Sequence, residues 1–192
     1  VQTEEELIGA VRWAREQNLP YFLLGGGSNV LVSDAGFRGL VIANRVSRWQ
    51  IDHQLSAISY QPSAISHQPS CILHPASCMP LSRLARHAIR HGLAGLEWAV
   101  GIPGTVGGAI VGNAGAHGSC VANSLVSVRV LEADGEVREL AAAELGFGYH
   151  SSVFKRRVTR DEKRGEGIQN RQQAIILSAE FALRAGDRQE LE

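Results

Sequence analysis

Two glycine motifs hold the residues best suited to chemistry in this sequence. The first is Gly25-Gly26-Gly27-Ser28-Asn29-Val30, followed by Leu31. Consecutive glycines tolerate positive φ, so their backbone N–H groups can converge into a nest that holds an anion. The second is Gly101-Ile102-Pro103-Gly104-Thr105-Val106-Gly107-Gly108-Ala109. Pro103 suits the first helical position, and the free N–H groups of a helix start suit a pyrophosphate. Gly107 and Gly108 would let a ligand or a neighbouring strand approach the backbone. Val30 stands where a Rossmann fingerprint needs glycine, and no Gly-Lys-Ser/Thr occurs for a P-loop. Together the motifs favour a dinucleotide whose phosphates are held by backbone amides.

Composition agrees with a packed, ligand-hugging chain. The 192 residues are 44% hydrophobic, with 19 Lys+Arg against 19 Asp+Glu. That balance argues against nucleic acid as a partner and against an acidic disordered tail. Glycine is enriched, 21 of 192, and nine glycines lie between Gly92 and Gly118. Residues 98–128 carry no charged side chain, but seven glycines and Pro103 make a membrane span a poor reading. Cys71, Cys78 and Cys120 form no CxxC pair, so neither a disulfide framework nor a zinc site is indicated. With no basic-then-apolar leader after Val1, a reducing, cytoplasmic compartment is expected. Nothing in the pattern reports oligomeric state.

The elements that would position these motifs read as α+β. Thr3 and Glu6 form a capping box ahead of Leu7, Ala10, Val11 and Ala14, and Pro20 bounds the helix. Residues 21–24 read as a buried strand, residues 30–32 as its resumption after the glycines, and residues 40–43 as another strand. A helix starts at Pro80, with Leu81, Leu84, Ala85, Ala88 and Ile89 on one face and Gly92 as its stop. Val126, Val128 and Val130 alternate up to Asp134-Gly135, and residues 137–140 return as a hairpin. Residues 141–145 allow one helical turn, and residues 174–183 form a last apolar strand.

Two stretches stand apart. Ser56-Ala57-Ile58-Ser59-Tyr60-Gln61-Pro62 is repeated almost unchanged by the next seven residues, and its Ser/Gln/Pro composition predicts a loosely packed loop. Residues 155–171 carry seven basic and three acidic side chains and read as a solvated loop. The expected organisation is a first subdomain over residues 1–54, irregular chain over 55–79, a second subdomain over 80–186 and a tail over 187–192.

Residues 23–31 (LLGGGSNVL), 95–118 (GLEWAVGIPGTVGGAIVGNAGAHG) and 145–155 (LGFGYHSSVFK) strongly resemble the UDP-N-acetylenolpyruvoylglucosamine reductases, the MurB family. The resemblance implies a two-subdomain α+β domain of the p-cresol methylhydroxylase type, with FAD pyrophosphate between the subdomains. It implies NADPH as reductant and a UDP-sugar enolpyruvyl ether as substrate, for peptidoglycan synthesis. It assigns the pyrophosphate to Gly25, Gly26, Gly27, Ser28, Asn29, Val30 and Leu31. Gly101, Ile102, Pro103, Gly104, Thr105, Val106, Gly107 and Gly108 would wrap phosphate and flavin. Asn113, Ala114 and Gly115 would lie near the isoalloxazine, where backbone donors stabilise charge in a reduced ring.

Tyr149 matches a substrate-contacting position, and His150 stands where the family usually has Arg. That Arg is thought to steady an enolate, whereas imidazole, with an ordinary pKa of about 6.5, is mostly neutral near pH 7. The family's substrate domain, with its proton-donating serine, would follow Glu192, and Ser151 and Ser152 are not that serine. The expectation is therefore a reductase segment, inactive by itself. A non-catalytic flavin- or nucleotide-binding module and an FAD-linked oxidase of the same fold are the alternatives. An oxidase would often show a flavin-linked His or Cys near the first loop, and residues 21–31 have none.

Overall fold

A computed structural model describes residues 1–53, 71–156 and 173–186. The duplicated heptad, most of the charged loop and the tail lie outside the described residues.

Helix α1 (Glu4–Glu16) forms with Thr3 as its N-cap: the Glu6 N–H donates to Thr3 Oγ1, and the Glu6 carboxylate accepts from the Gln2 N–H, one residue before the cap. Its face of Leu7, Val11 and Ala14 is buried against Tyr21, Ile42, Leu131, Ile175 and Leu177. Strand β1 (Tyr21–Leu24) pairs in parallel with β2 (Leu40–Ala43). Parallel partners need a crossover rather than a tight hairpin. The chain from 25 to 39 supplies it without any strand, which corrects the expected strand over 30–32. The reason is burial: Leu31 is fully exposed, and Val30 and Val32 also face outward. Apolar residue type alone does not make a strand where no sheet or core receives it.

The remaining strands build one large sheet. β3 (Trp49–Asp52), β4 (Cys71–Pro75), β5 (Leu93–Ala94), β8 (Leu125–Leu131), β9 (Val137–Ala141) and β10 (Ile175–Ala185) belong to it. Along the main path the order is β3-β4-β10-β8-β9, with β5 pairing beside β10. β6 (Gly115–Ala116) and β7 (Ser119–Cys120) form a separate two-stranded ribbon. The β8–β9 hairpin, the last strand and the 3₁₀ turn Ala142–Leu145 agree with the sequence reading. Two boundaries are corrected. The irregular chain expected through residue 79 ends earlier, because Cys71 and Leu73 alternate inward and make β4 a central strand. β3, expected in the first subdomain, pairs with β4 in the large sheet.

Helix α2 (Leu81–Arg90) lays its predicted apolar face on this sheet, and Gly92 takes φ +66° just beyond its end. Helix α3 (Val106–Gly112) packs beside it. Its start corrects a second expectation. Val106, not Pro103, is the first helical residue: the extended backbone and hydroxyl of the N-cap Thr105 begin the helix three residues later than the proline suggested. Among the described residues no helix is long and apolar enough to cross a membrane.

Candidate functional site

The two glycine motifs, about eighty residues apart in sequence, meet in space. A Cβ placed on Gly25 would lie 3.3 Å from Thr105 Cγ2, and one on Gly104 would lie 3.6 Å from Ser28 Oγ. Between β1, α3 and the start of β10 is a cavity of about 370 Å³. Its wall includes Gly25, Thr105, Gly107 and Gly108 together with apolar Leu23, Val111, Phe154 and Ile176. No Asp, Glu, Lys or Arg among the described residues lines it.

Backbone donors distinguish the motifs. Among the described residues the N–H groups of residues 25–29 and of Leu31 meet no protein acceptor, and residues 28–29 form a tight turn. Gly27 holds φ +74°, a left-handed conformation of the kind that anion nests use. At the second motif the Val106 N–H donates to Met79 O (2.9 Å) and the Gly107 N–H to Ser77 O (2.8 Å). The Gly108 N–H reaches Thr105 Oγ1 at 3.4 Å. Of the donors expected at this helix start, those of residues 106–108 are therefore already used within the protein. Gly107 is glycine because a Cβ there would sit 3.2 Å from both Ser77 Cβ and Ser77 O. Its close partner is the protein itself.

Asn113 ends α3 in the left-handed region (φ +43°), and its side chain donates to Gly148 O and accepts from the Ala122 N–H. The Asn113 N–H donates to Ile110 O and the Ala114 N–H to Ala109 O. So the backbone donors expected from these two residues for a flavin are also used internally. Gly115 has no room for a side chain, with Ser119 O 2.5 Å from where its Cβ would stand.

Tyr149 and His150 lie outside the cavity wall. They cap the exposed turn between Gly148 and Ser151, with ring centroids 4.5 Å apart, and Tyr149 is 94% exposed. His150 holds φ +45°, and Lys155 Nζ donates to its carbonyl at 2.9 Å. The Asn113–Gly148 hydrogen bond ties this turn to the end of α3. Ser152 is fully buried and donates to Val111 O (2.7 Å), a structural role that agrees with setting it aside as a proton donor.

Sequence reading missed Asn44, Ser77 and Cys78, which also line the cavity. Burial pushes the Cys78 thiol pKa up, with the Arg45 charge opposing weakly, so the thiol form is favoured. No motif marks these three residues. Only the polar asparagine directly after the apolar run of β2 offered a signal.

A family model described as "FAD binding domain" matches residues 1–141. The chain belongs to this family of FAD-binding domains. A UDP-N-acetylenolpyruvoylglucosamine reductase of Trichormus variabilis is 44% identical over 152 residues, covering 79% of this chain and 41% of that protein. One from Synechococcus sp. strain RCC307 is 38% identical over 186 residues, covering 96% and 51%. The chain thus spans about half the length of the curated relatives it matches. The crystal structure of Thermus caldophilus UDP-N-acetylenolpyruvylglucosamine reductase (MurB) superposes with a TM-score of 0.65 at 27% identity, covering all of this chain and 56% of that one. A VAO-type flavoprotein from Myceliophthora thermophila, at 13% identity and a TM-score of 0.61, shares the fold.

The FAD-binding domain fits its cofactor through unequal parts. The N–H row at residues 25–31 suits an anionic pyrophosphate, and the apolar cavity wall suits an uncharged ring system. In the second glycine motif, residues 106–108 fit as a close-packed wall rather than as a set of donors.

Proposed function

We infer that this FAD-binding domain serves a UDP-N-acetylenolpyruvoylglucosamine reductase. The reaction would convert UDP-N-acetylglucosamine enolpyruvate to UDP-N-acetylmuramate with NADPH, a cytoplasmic step of peptidoglycan precursor synthesis on which cell shape and division depend. The carrying observation is the convergence of both glycine motifs on an uncharged cavity, in a chain 36–45% identical to reductases of that name.

FAD, when bound, supplies hydride acceptance and donation. The chain's own residues bind and orient. Gly25, Gly26, Gly27, Ser28, Asn29, Val30 and Leu31 would hold the pyrophosphate by backbone N–H groups. The stretch 101–108 would close the opposite side, with Thr105 facing Gly25. Gly115 would border the flavin beside Asn113 and Ala114, whose own N–H groups hold the end of α3. Tyr149 would contact the UDP-sugar, and His150 would face negative charge developing on it.

The test is reconstitution with FAD, removal of free ligand and acid denaturation. Flavin should be retained before denaturation and released after it, and NADPH should bleach its visible absorbance. Protein that retains no flavin would overturn the reading.

A further inference from the structure

The cavity is bounded by a closed circuit of contacts, and one buried polar side chain links its two halves. Asn44 follows β2 and is 3% exposed. Its N–H donates to Leu24 O (2.9 Å), which anchors it to the residue immediately before Gly25. Its side-chain Oδ1 accepts from the Val46 N–H (2.9 Å), and its Nδ2 donates to Ser77 Oγ (3.1 Å). Its carbonyl accepts from Cys78 Sγ at 2.8 Å. Ser77 in turn accepts from the Gly107 N–H and donates its own N–H to Leu177 O. From Gly107 the circuit returns through Thr105 to Gly25.

An amide is well suited to this place. It offers an acceptor and a donor on one rigid plane, so it can satisfy Val46 and Ser77 simultaneously. Buried polar groups keep such fixed partners, because losing one leaves the other desolvated and unpaired. Fixing Ser77 relative to Leu24 also fixes Gly107 relative to Gly25. The separation of the two glycine loops is therefore held at Asn44, on the cavity wall but in neither motif.

We propose that Asn44, acting through Ser77, is a positioning residue that sets the spacing of the two glycine loops for the dinucleotide. The proposal rests on the FAD-binding reading of the cavity.

The experiment measures FAD dissociation constants by flavin fluorescence, and melting temperatures without ligand. The proteins are wild type, Asn44→Leu, Ser77→Ala, the double variant, and Ala88→Gly. Ala88 lies on α2, buried in the core and outside the cavity wall, so its variant controls for general loss of stability. Asn44→Leu should weaken FAD at least tenfold, Ser77→Ala by a smaller factor, and the double variant no further than Asn44→Leu alone. Ala88→Gly should lower the melting temperature but change FAD affinity less than threefold. The proposal is overturned if both single variants bind FAD like wild type, or if Ala88→Gly weakens binding as much as Asn44→Leu. Should Asn44→Leu fail to fold, Ser77→Ala decides alone: unchanged affinity overturns the proposal, and a loss exceeding that of Ala88→Gly supports it. Wild type that binds no FAD would instead remove the functional reading on which the proposal stands.

Discussion

The two glycine loops carry similar composition and opposite physics. In residues 25–31 the glycines free the backbone, and a run of N–H groups has no protein acceptor among the described residues. Around residues 104–108 the glycines bring backbone onto backbone, and the N–H groups of Val106 and Gly107 end on carbonyls of the Ser77–Met79 segment. One loop offers donors to an anion, and the other is a wall that holds the donors' counterpart in place. Glycine therefore has two uses here, which only its neighbours distinguish.

The largest test of that contrast is Gly107→Val. A β-branched side chain would meet Ser77 Cβ and O, so ligand-free stability should fall by about 1–3 kcal/mol, with FAD binding lost as a consequence. Thermal melting of the ligand-free protein checks it, and an unchanged melting temperature would break the contrast. Gly26→Ala should do the reverse. Its Cβ would stand in ordinary contact with Thr105 Cγ2 at 3.7 Å, and Gly26 has no positive φ to strain. Ligand-free stability should stay within about 0.5 kcal/mol, as for surface changes. FAD affinity should fall about tenfold, about 1.4 kcal/mol, because the new methyl enters the gap between the loops.

Thr105→Val keeps the shape facing Gly25 and removes the cap. The cap bond is long at 3.4 Å, so the cost should be near the low end of the cap range, about 0.5–1 kcal/mol, read by chemical unfolding. Salt gives a smaller effect. With no charged side chain among the described residues of the cavity wall, raising NaCl from about 50 to 500 mM should change FAD affinity less than about twofold. A steep salt dependence would point to ion pairs rather than backbone donors. Smallest of all is His150→Gly. The residue already holds φ +45° on an exposed turn outside the cavity, so titration should show FAD affinity unchanged, and the melting temperature should not drop.

Much of the scaffold was legible because its residues repeat at the period of their element. The inward face of α2, the β8–β9 pairing and the Asp134-Gly135 turn between them all formed as read, while along β8 Val128 and Val130 are buried and Val126 is only half-buried. Strand β4 was hidden because it directly follows a Ser/Gln/Pro stretch whose composition points to irregular chain. Residues 30–32 misled in the opposite sense, since their aliphatic side chains have no sheet or core to enter. Pro103 misled because a good helix-starting residue competes with Thr105, whose hydroxyl can do what proline cannot: accept from a donor of the first turn.

The sequence by itself determined where the backbone could bend closely, since only glycine tolerates the φ values found at Gly27 and Gly104 at little cost. It also determined that neither motif offers a phosphate a cation of its own, because both lack charged side chains. Tertiary structure decided which amides are available. A donor is free or used according to the carbonyl opposite it, and those carbonyls come from residues 77 and 79, in a segment with no motif. It also decided that Asn44 would join the loops, because the hydrogen bond between residues 44 and 77 links chain that follows strands of two different sheets, a meeting that no local pattern encodes.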